Sequence, residues 1–348
     1  MNKKIGDQTF ELTNKPTIIA ASCFVGEKES FGPVGSYLNN FTTDDTMGQT
    51  SFEKAERKFF EEALKGALKN ANLKPTDIDY MVGGDILNQL ISINYTARDY
   101  QIPLVGVYGA CSTMSESLAV AAGLMSGGVG TKVICLTGSH FSAAERQYRN
   151  PLEFGNQRQT YSQWTATGAG AVVLSNDGDG PKITKIAFGK VTDYGVVDIA
   201  NMGAAMAPAA KQVLTAFLKD TQTTPKDYDL IATGDLGKLG SDILRDLMAK
   251  DNLPLGANYM DCGHSLYNNE QKTFQGGSGA GCSAIVFSSY IFDKLKKKEF
   301  NKILLIATGA LMSTTINQQG ESIACIAHIV EIQNIKNGIQ KDKGEEQC

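Results

Sequence analysis

The feature that most constrains the fold of this chain is an internal repeat. Asp77-Ile-Asp-Tyr-Met-Val-Gly-Gly-Asp85 returns as Asp227-Tyr-Asp-Leu-Ile-Ala-Thr-Gly-Asp235, each reading Asp-x-Asp, four intervening residues, then Gly-Asp. Lys132-Val-Ile-Cys-Leu-Thr-Gly138 returns as Lys302-Ile-Leu-Leu-Ile-Ala-Thr-Gly309. Gly109-Ala-Cys-Ser112 opens a small-residue helix, and so does Gly281-Cys-Ser-Ala284. Cys111 stands 27 residues before Gly138, and Cys282 stands 27 before Gly309. Three motifs in one order, with one spacing conserved, predict two copies of a single unit. The halves, 1–180 and 181–348, meet near residue 180.

Within each half, apolar runs of strand length alternate with helical patterns, which predicts α/β architecture with a mainly parallel sheet. Ser51 opens a helix that runs through Phe59, Phe60, Ala63, Leu64, Ala67 and Leu68 until Asn72 and Pro75 end it. Pro16–Cys23, Asp77–Gly84, Pro103–Tyr108, Lys132–Gly138 and Gly168–Leu174 read as strands, and Ser112–Met125 as a helix. Phe141–Trp164 is polar and aromatic without a strong period, and reads as a long covering loop.

Composition removes several function classes. The chain has 348 residues, 42% hydrophobic, and a net charge of −4, so no nucleic-acid partner is indicated. Its seven cysteines form no CxxC pair, so neither a metal site nor a redox dithiol is expected, and no cofactor is called for. Their odd number and spread through apolar runs suit reduced thiols in an intracellular compartment. Ala20-Ala-Ser-Cys23 superficially resembles a lipoprotein signal, but Asp7 and Glu11 interrupt its approach and the apolar run is short. No apolar run is long enough to span a membrane.

The chemistry concentrates at Cys111. A strand ending Val105-Gly-Val-Tyr-Gly-Ala110 delivers it to a helix start, where unpaired N–H groups and the helix dipole favour a thiolate or a bound anion. The bland alternative is a buried packing cysteine, which is the better reading of Cys282. Duplicated α/β halves with Gly-Ala-Cys-Ser-x-x-x-Glu at a helix start resemble the thiolase superfamily, including the ketoacyl carrier-protein synthases. The resemblance and the equal spacings imply a thiolase-like fold with a five-layered α/β/α/β/α core, the helices after Cys111 and Cys282 lying between two sheets. It also implies a homodimer. In the enzymes a His–His or His–Asn pair from the second half assists the cysteine. Here the corresponding stretches read Thr233-Gly-Asp-Leu-Gly237 and Gly276-Gly-Ser-Gly-Ala-Gly-Cys282, with neither. His140, His264 and His328 stand elsewhere. Without a positioned base, condensation is hard to achieve; an acyltransferase using Cys111 with His140 or His328 is the rival reading.

Longer stretches resemble one branch of that superfamily, the stage V sporulation AD family. They include Gly84-Asp-Ile-Leu-Asn-Gln89, Asn94-Tyr-Thr-Ala-Arg-Asp99, Ala144-Glu-Arg-Gln-Tyr-Arg149, Trp164-Thr-Ala-Thr-Gly-Ala-Gly170, Asn201–Ala210, Thr308–Ser313 and Ile326-Ala-His328, spanning nearly the whole chain. The resemblance implies a protein that binds dipicolinic acid, or its calcium chelate, without turning it over. It would act in uptake into the developing spore, peripheral at the spore inner membrane beside the stage V sporulation A-operon membrane proteins. The candidate ligand residues are Cys111, Ser112, His140, Asp85, Asn88, Arg146 and His328. Asp85 also reads as a strand-end cap, and His328 as a core histidine. Arg98, Arg146 and Arg149 would offer bidentate carboxylate contacts if they face the pocket, though each alone reads as a solvated charge. The charged tail after Asn334 is expected to fray.

Overall fold

The computed structural model describes residues 2–148 and 158–335. In the first half β1 (Thr17–Gly26) is followed by α1 (Phe52–Ala71), β2 (Tyr80–Gly84), α2 (Ile91–Tyr100), β3 (Leu104–Gly106), α3 (Thr113–Ser126), β4 (Lys132–Ser139), α4 (Phe141–Tyr148) and β5 (Gly168–Ser175). The second half follows with β6 (Lys182–Phe188), α5 (Met202–Thr221), β7 (Leu230–Thr233), α6 (Gly237–Lys250), β8 (Tyr259–Asp261), α7 (Ala280–Val286), β9 (Lys302–Ala310) and β10 (Cys325–Gln333). The strand order is β1-β5-β4-β2-β3 in the first and β6-β10-β9-β7-β8 in the second, the same order position by position. One residue pairing, Thr17 opposite Lys182, joins β1 to β6.

Local chemistry explains the elements. Ser51 caps α1 by accepting from the Lys54 N–H, and Asn72 closes it in the left-handed conformation at φ 54°. The repeated Asp-x-Asp motif proves to be a folding device. Asp77 accepts from the Lys74 N–H at 2.7 Å and Asp227 from the Thr224 N–H at 2.7 Å, each closing a single turn. Two residues on, Asp79 takes the N–H groups of Thr131 and Lys132, and Asp229 those of Asn301 and Lys302. Each aspartate thus ties the approach of one strand to the start of its neighbour. Its carboxylate satisfies donors that the sheet edge leaves over.

The layers are those expected. α1 covers the outer face of β1, β4 and β5, burying Phe59, Phe60 and Leu64. α5 covers β9 and β10 on the far side, around Phe217 and Leu214, and α6 packs against α5 and β8. Between the sheets, α3 touches β2 and β4 below it and β6, β9 and β10 above. α7 lies beside α3, where Ile285 and Val286 share one core with Leu118, Leu230 and Leu305. Two small-residue helices fit this position because both of their faces meet a sheet.

Two expectations need correction. The sheet is mixed rather than mainly parallel: β2 pairs parallel with β3 and β4, but β5 runs antiparallel to both β1 and β4. β5 returns beside β4 in the opposite sense, a pairing that requires no crossover over the sheet. The covering loop also begins as a helix, α4. Its buried face is only Ser142, Ala143 and Ala144, too small to register as an apolar stripe, while Phe141 stacks on Trp164 with centroids 3.7 Å apart. Residues 149–157, with Arg149, and the tail beyond 335 lie outside the described residues. Among those described, no helix is long and apolar enough to cross a membrane. The six cysteines described are all buried and unbridged.

Candidate functional site

The site grows from the turn between β3 and α3. Ala110 takes φ 51°, a left-handed value that a residue with a Cβ rarely adopts, and so turns the chain sharply into a single 3-10 turn over Ala110–Ser112. Gly109 has no room for a side chain. A Cβ there would lie 2.3 Å from Ser112 Oγ and 2.5 Å from Glu116 Oε2. Ser112 donates to the Gly109 carbonyl at 2.7 Å, and Thr113 donates to that of Ala110 at 2.6 Å. The turn is therefore braced by its own hydroxyls and presents Cys111 at the mouth of α3. Glu116 tucks in one turn later, its carboxyl pushed up to about 7 by burial.

The second half supplies the floor behind Cys111. Asp235, at the end of β7, is wholly buried. Its carboxylate accepts from the Gly279 N–H at 2.9 Å, the Thr308 hydroxyl at 3.0 Å, the Ser278 hydroxyl at 3.5 Å and the Cys111 thiol. Burial pushes Asp235 up to about 7; the Cys111 contact opposes that rise and neighbouring Asp261 adds to it. Above this floor opens a cleft of about 430 Å³, counted out to the solvent at its mouth. Cys111, Ser278 and Thr165 are its polar lining; Tyr108 and Tyr148, joined hydroxyl to hydroxyl at 3.0 Å, form one wall with Ile86, and Met202 and Met312 add thioethers. None of the described lining side chains carries a formal charge.

The sequence candidates do not all gather here. Cys111 lies at the floor and is 7% exposed. Ser112, expected beside the ligand, is buried within the turn. Asn88 stands further out, at the outer opening with Gln89, Tyr148 and Met312. Asp85 is fully buried and accepts from the N–H groups of Leu87 at 3.0 Å and Ile93 at 2.9 Å. It shapes the loop that brings Ile86 to the wall, which is a cap's role. His140, expected near the mouth, points to the opposite side of the sheet. Its Nε2 meets the Asp45 carbonyl at 2.8 Å, and its ring lies against Phe52 and Phe59 of the outer layer. Alternation in β4 is the reason: Ser139 faces the central layer, donating to the Ala166 carbonyl, so the next residue faces away. Arg146 pairs with Glu53, and Arg98 with Asp99 while covering the Tyr95 ring; neither lines the cleft. His328 is buried on β10 against Phe188, pushed down to about 4 by burial. Cys282 is a packing residue whose thiol donates to the Ser278 carbonyl at 3.2 Å. His264 is exposed on a short helix, Cys262–Leu266.

What the sequence reading lacked is Asp235 as a presence. In the sequence Asp235 is only the end of the Gly-Asp repeat; its contact with Cys111 belongs to the folded chain. Tyr108, Tyr148, Met202 and Met312 converge from four separate segments, and no local motif announces them.

Comparison with known proteins adds the family. The model described as stage V sporulation protein AD matches residues 6–333. The protein of that name from Bacillus subtilis (strain 168) is 42% identical over 326 residues, covering 94% of this chain and 96% of its own. Among solved structures, 3-oxoacyl-(acyl carrier protein) synthase III from Pseudomonas aeruginosa PAO1 superposes with a TM-score of 0.59 at 13% identity, over 92% of this chain and 99% of its own. Cerulenin-bound OleA of Xanthomonas campestris gives a TM-score of 0.60 at 12% identity, over 92% and 99%. At these identities the likeness carries the fold, that of the thiolase-type condensing enzymes.

Proposed function

The chain belongs to the stage V sporulation protein AD family, and from that premise we propose that it binds dipicolinic acid, alone or as its calcium chelate, for uptake into the developing spore, without catalysing acyl transfer. The observation that carries the reading is the cleft itself. A flat aromatic acid suits a slot walled by two tyrosine rings and two thioethers, with a helix N-terminus at its floor. Where the condensing enzymes are expected to carry His or Asn, the floor holds Asp235 and Ser278. A buried carboxyl beside the cysteine offers no imidazolium or amide to a thioester oxyanion. Calorimetric titration with dipicolinate, with and without calcium, tests the binding; heats indistinguishable from dilution would remove the reading.

Catalytic silence is tested separately. Acetyl- and malonyl-thioesters given to the purified protein should yield no condensation product over many equivalents. A single acylation of Cys111 would not count against this, because a cysteine at the floor of an open cleft can be acylated without a catalytic cycle. Sustained turnover that Cys111→Ser abolishes would establish the acyltransferase instead.

The proposal includes a homodimer formed through the first half, peripheral at the spore inner membrane beside the membrane proteins of the stage V sporulation A operon. The outer edge of β3 supports the dimer: it pairs only with β2 among the described strands and leaves Val105 exposed. An unprotected apolar edge invites a second strand, and a lysine placed on it discourages one. Sedimentation should give a dimer at micromolar concentration, with Val105→Lys shifted to monomer. A monomeric parent under those conditions would exclude this interface.

A further inference from the structure

We propose that Asp235 makes binding in this cleft proton-linked, its carboxyl holding a proton whenever an aromatic dicarboxylate is bound. This inference rests on the dicarboxylate reading above and names what regulates the same site.

The argument starts from what surrounds the carboxyl. It lies directly behind the two residues of the floor, Cys111 and Ser278, and every donor that reaches it is neutral: a thiol, two hydroxyls and one N–H. A second carboxyl, Asp261 on β8, opposes its charge and is itself held by the Thr233 hydroxyl and the N–H groups of Leu236, Gly237 and His264. Among the described residues, the thiols of Cys262, Cys282 and Cys325 also face Asp235, from the short helix after β8, from α7 and from β10. Burial sets all three well above neutrality, so they stay uncharged.

A dianion entering the cleft therefore meets no cation among the described lining residues. Behind the floor it meets a carboxyl whose hydrogen-bond partners are neutral donors. A like charge brought up to a wholly buried carboxylate raises the cost of both, so one of them takes a proton. The ligand is the poorer candidate, because its carboxyls, like other carboxylic acids, are ionised throughout the neutral range. Asp235 is the better one, since burial has already raised it to about 7. The sign follows. A bound anion raises that carboxyl further, so binding takes up a proton and tightens as pH falls. It weakens as pH rises past the value of the empty site, at roughly tenfold per pH unit in the limit.

The test is calcium-free calorimetric titration of the full chain with sodium dipicolinate at pH 6, 7 and 8, in buffers of different ionisation enthalpy. The parent should bind roughly tenfold more weakly at pH 8 than at pH 6, and the buffer dependence at pH 8 should report uptake approaching one proton per site. Asp235→Asn, a near-isosteric and permanently neutral replacement, should bind with one affinity across the range and take up no proton. Parent binding that ignores pH without proton uptake overturns the inference while leaving the ligand assignment standing. So does an Asp235→Asn variant that keeps the parent's pH dependence. The parent measurement does not depend on that variant folding. Absence of binding at every pH would instead remove the ligand assignment, and this inference with it.

Discussion

Cys111→Arg should abolish dipicolinate binding, weakening it about a hundredfold or more, whereas Cys111→Ala should cost less than about tenfold; the asymmetry runs against simple charge. A guanidinium brings the sign a dianion wants. Yet Cys111 lies at the floor of the cleft and in contact with the buried Asp235 carboxyl. A long side chain there fills the slot between the tyrosines and pairs its charge with Asp235, leaving neither space nor a free cation for the ligand. Alanine keeps the backbone N–H groups at the start of α3, whose dipole is worth about 0.3–1 kcal/mol to an anion, and opens space. Melting curves for both variants come first, since overpacking can unfold a protein for unrelated reasons. With folding secured, Cys111→Arg binding as tightly as the parent would place the ligand elsewhere.

Gly309→Val should destabilise the protein by about 3 kcal/mol and remove ligand binding with it. Gly309 lies in β9 of the second half. A Cβ there would come within 2.0 Å of the Gly109 carbonyl oxygen and 3.1 Å of the Ser112 nitrogen. Both atoms are backbone, so neither can swing aside as the end of a flexible side chain would. Relief requires β9 to move from the turn that carries Cys111, which separates Cys111 from its floor. Urea unfolding read with dipicolinate titration checks the pair of effects. A variant that unfolds with the parent would mean that the halves approach each other less closely than this.

How much of this was legible in the sequence depends on whether a feature is local. The repeat was, because Asp77 and Asp79, and Asp227 and Asp229, tie turns and strand starts within short stretches. So were the boundaries of α1, set by Ser51 and Asn72, and the turn at Gly109. The cleft was not. Its walls come from residues 86, 108, 148, 202 and 312, which only the stacking of the two halves brings together. His140 misled because sequence proximity to the end of β4 says nothing about which face a residue takes; the parity of Ser139 decides it. Arg146 misled because a helix stands where a loop had been expected, and that helix turns the guanidinium to Glu53 on α1.

The two copies of the repeat are not used alike: the first presents Cys111 to a cleft, and the second does not do the same with Cys282. At the equivalent position of the second copy, Cys282 is wholly enclosed and its thiol is turned back on Ser278. The turn that leads to it, Ser278 and Gly279, is already in use as lining for the first copy's cleft. One copy contributes the presenting turn and the other the surface it faces, so the cleft belongs to the junction and to neither unit. Parted near residue 180, neither fragment would inherit a site. The same logic applies to ancestry: a single unit, before duplication, would have possessed such a cleft only by pairing with another of its kind.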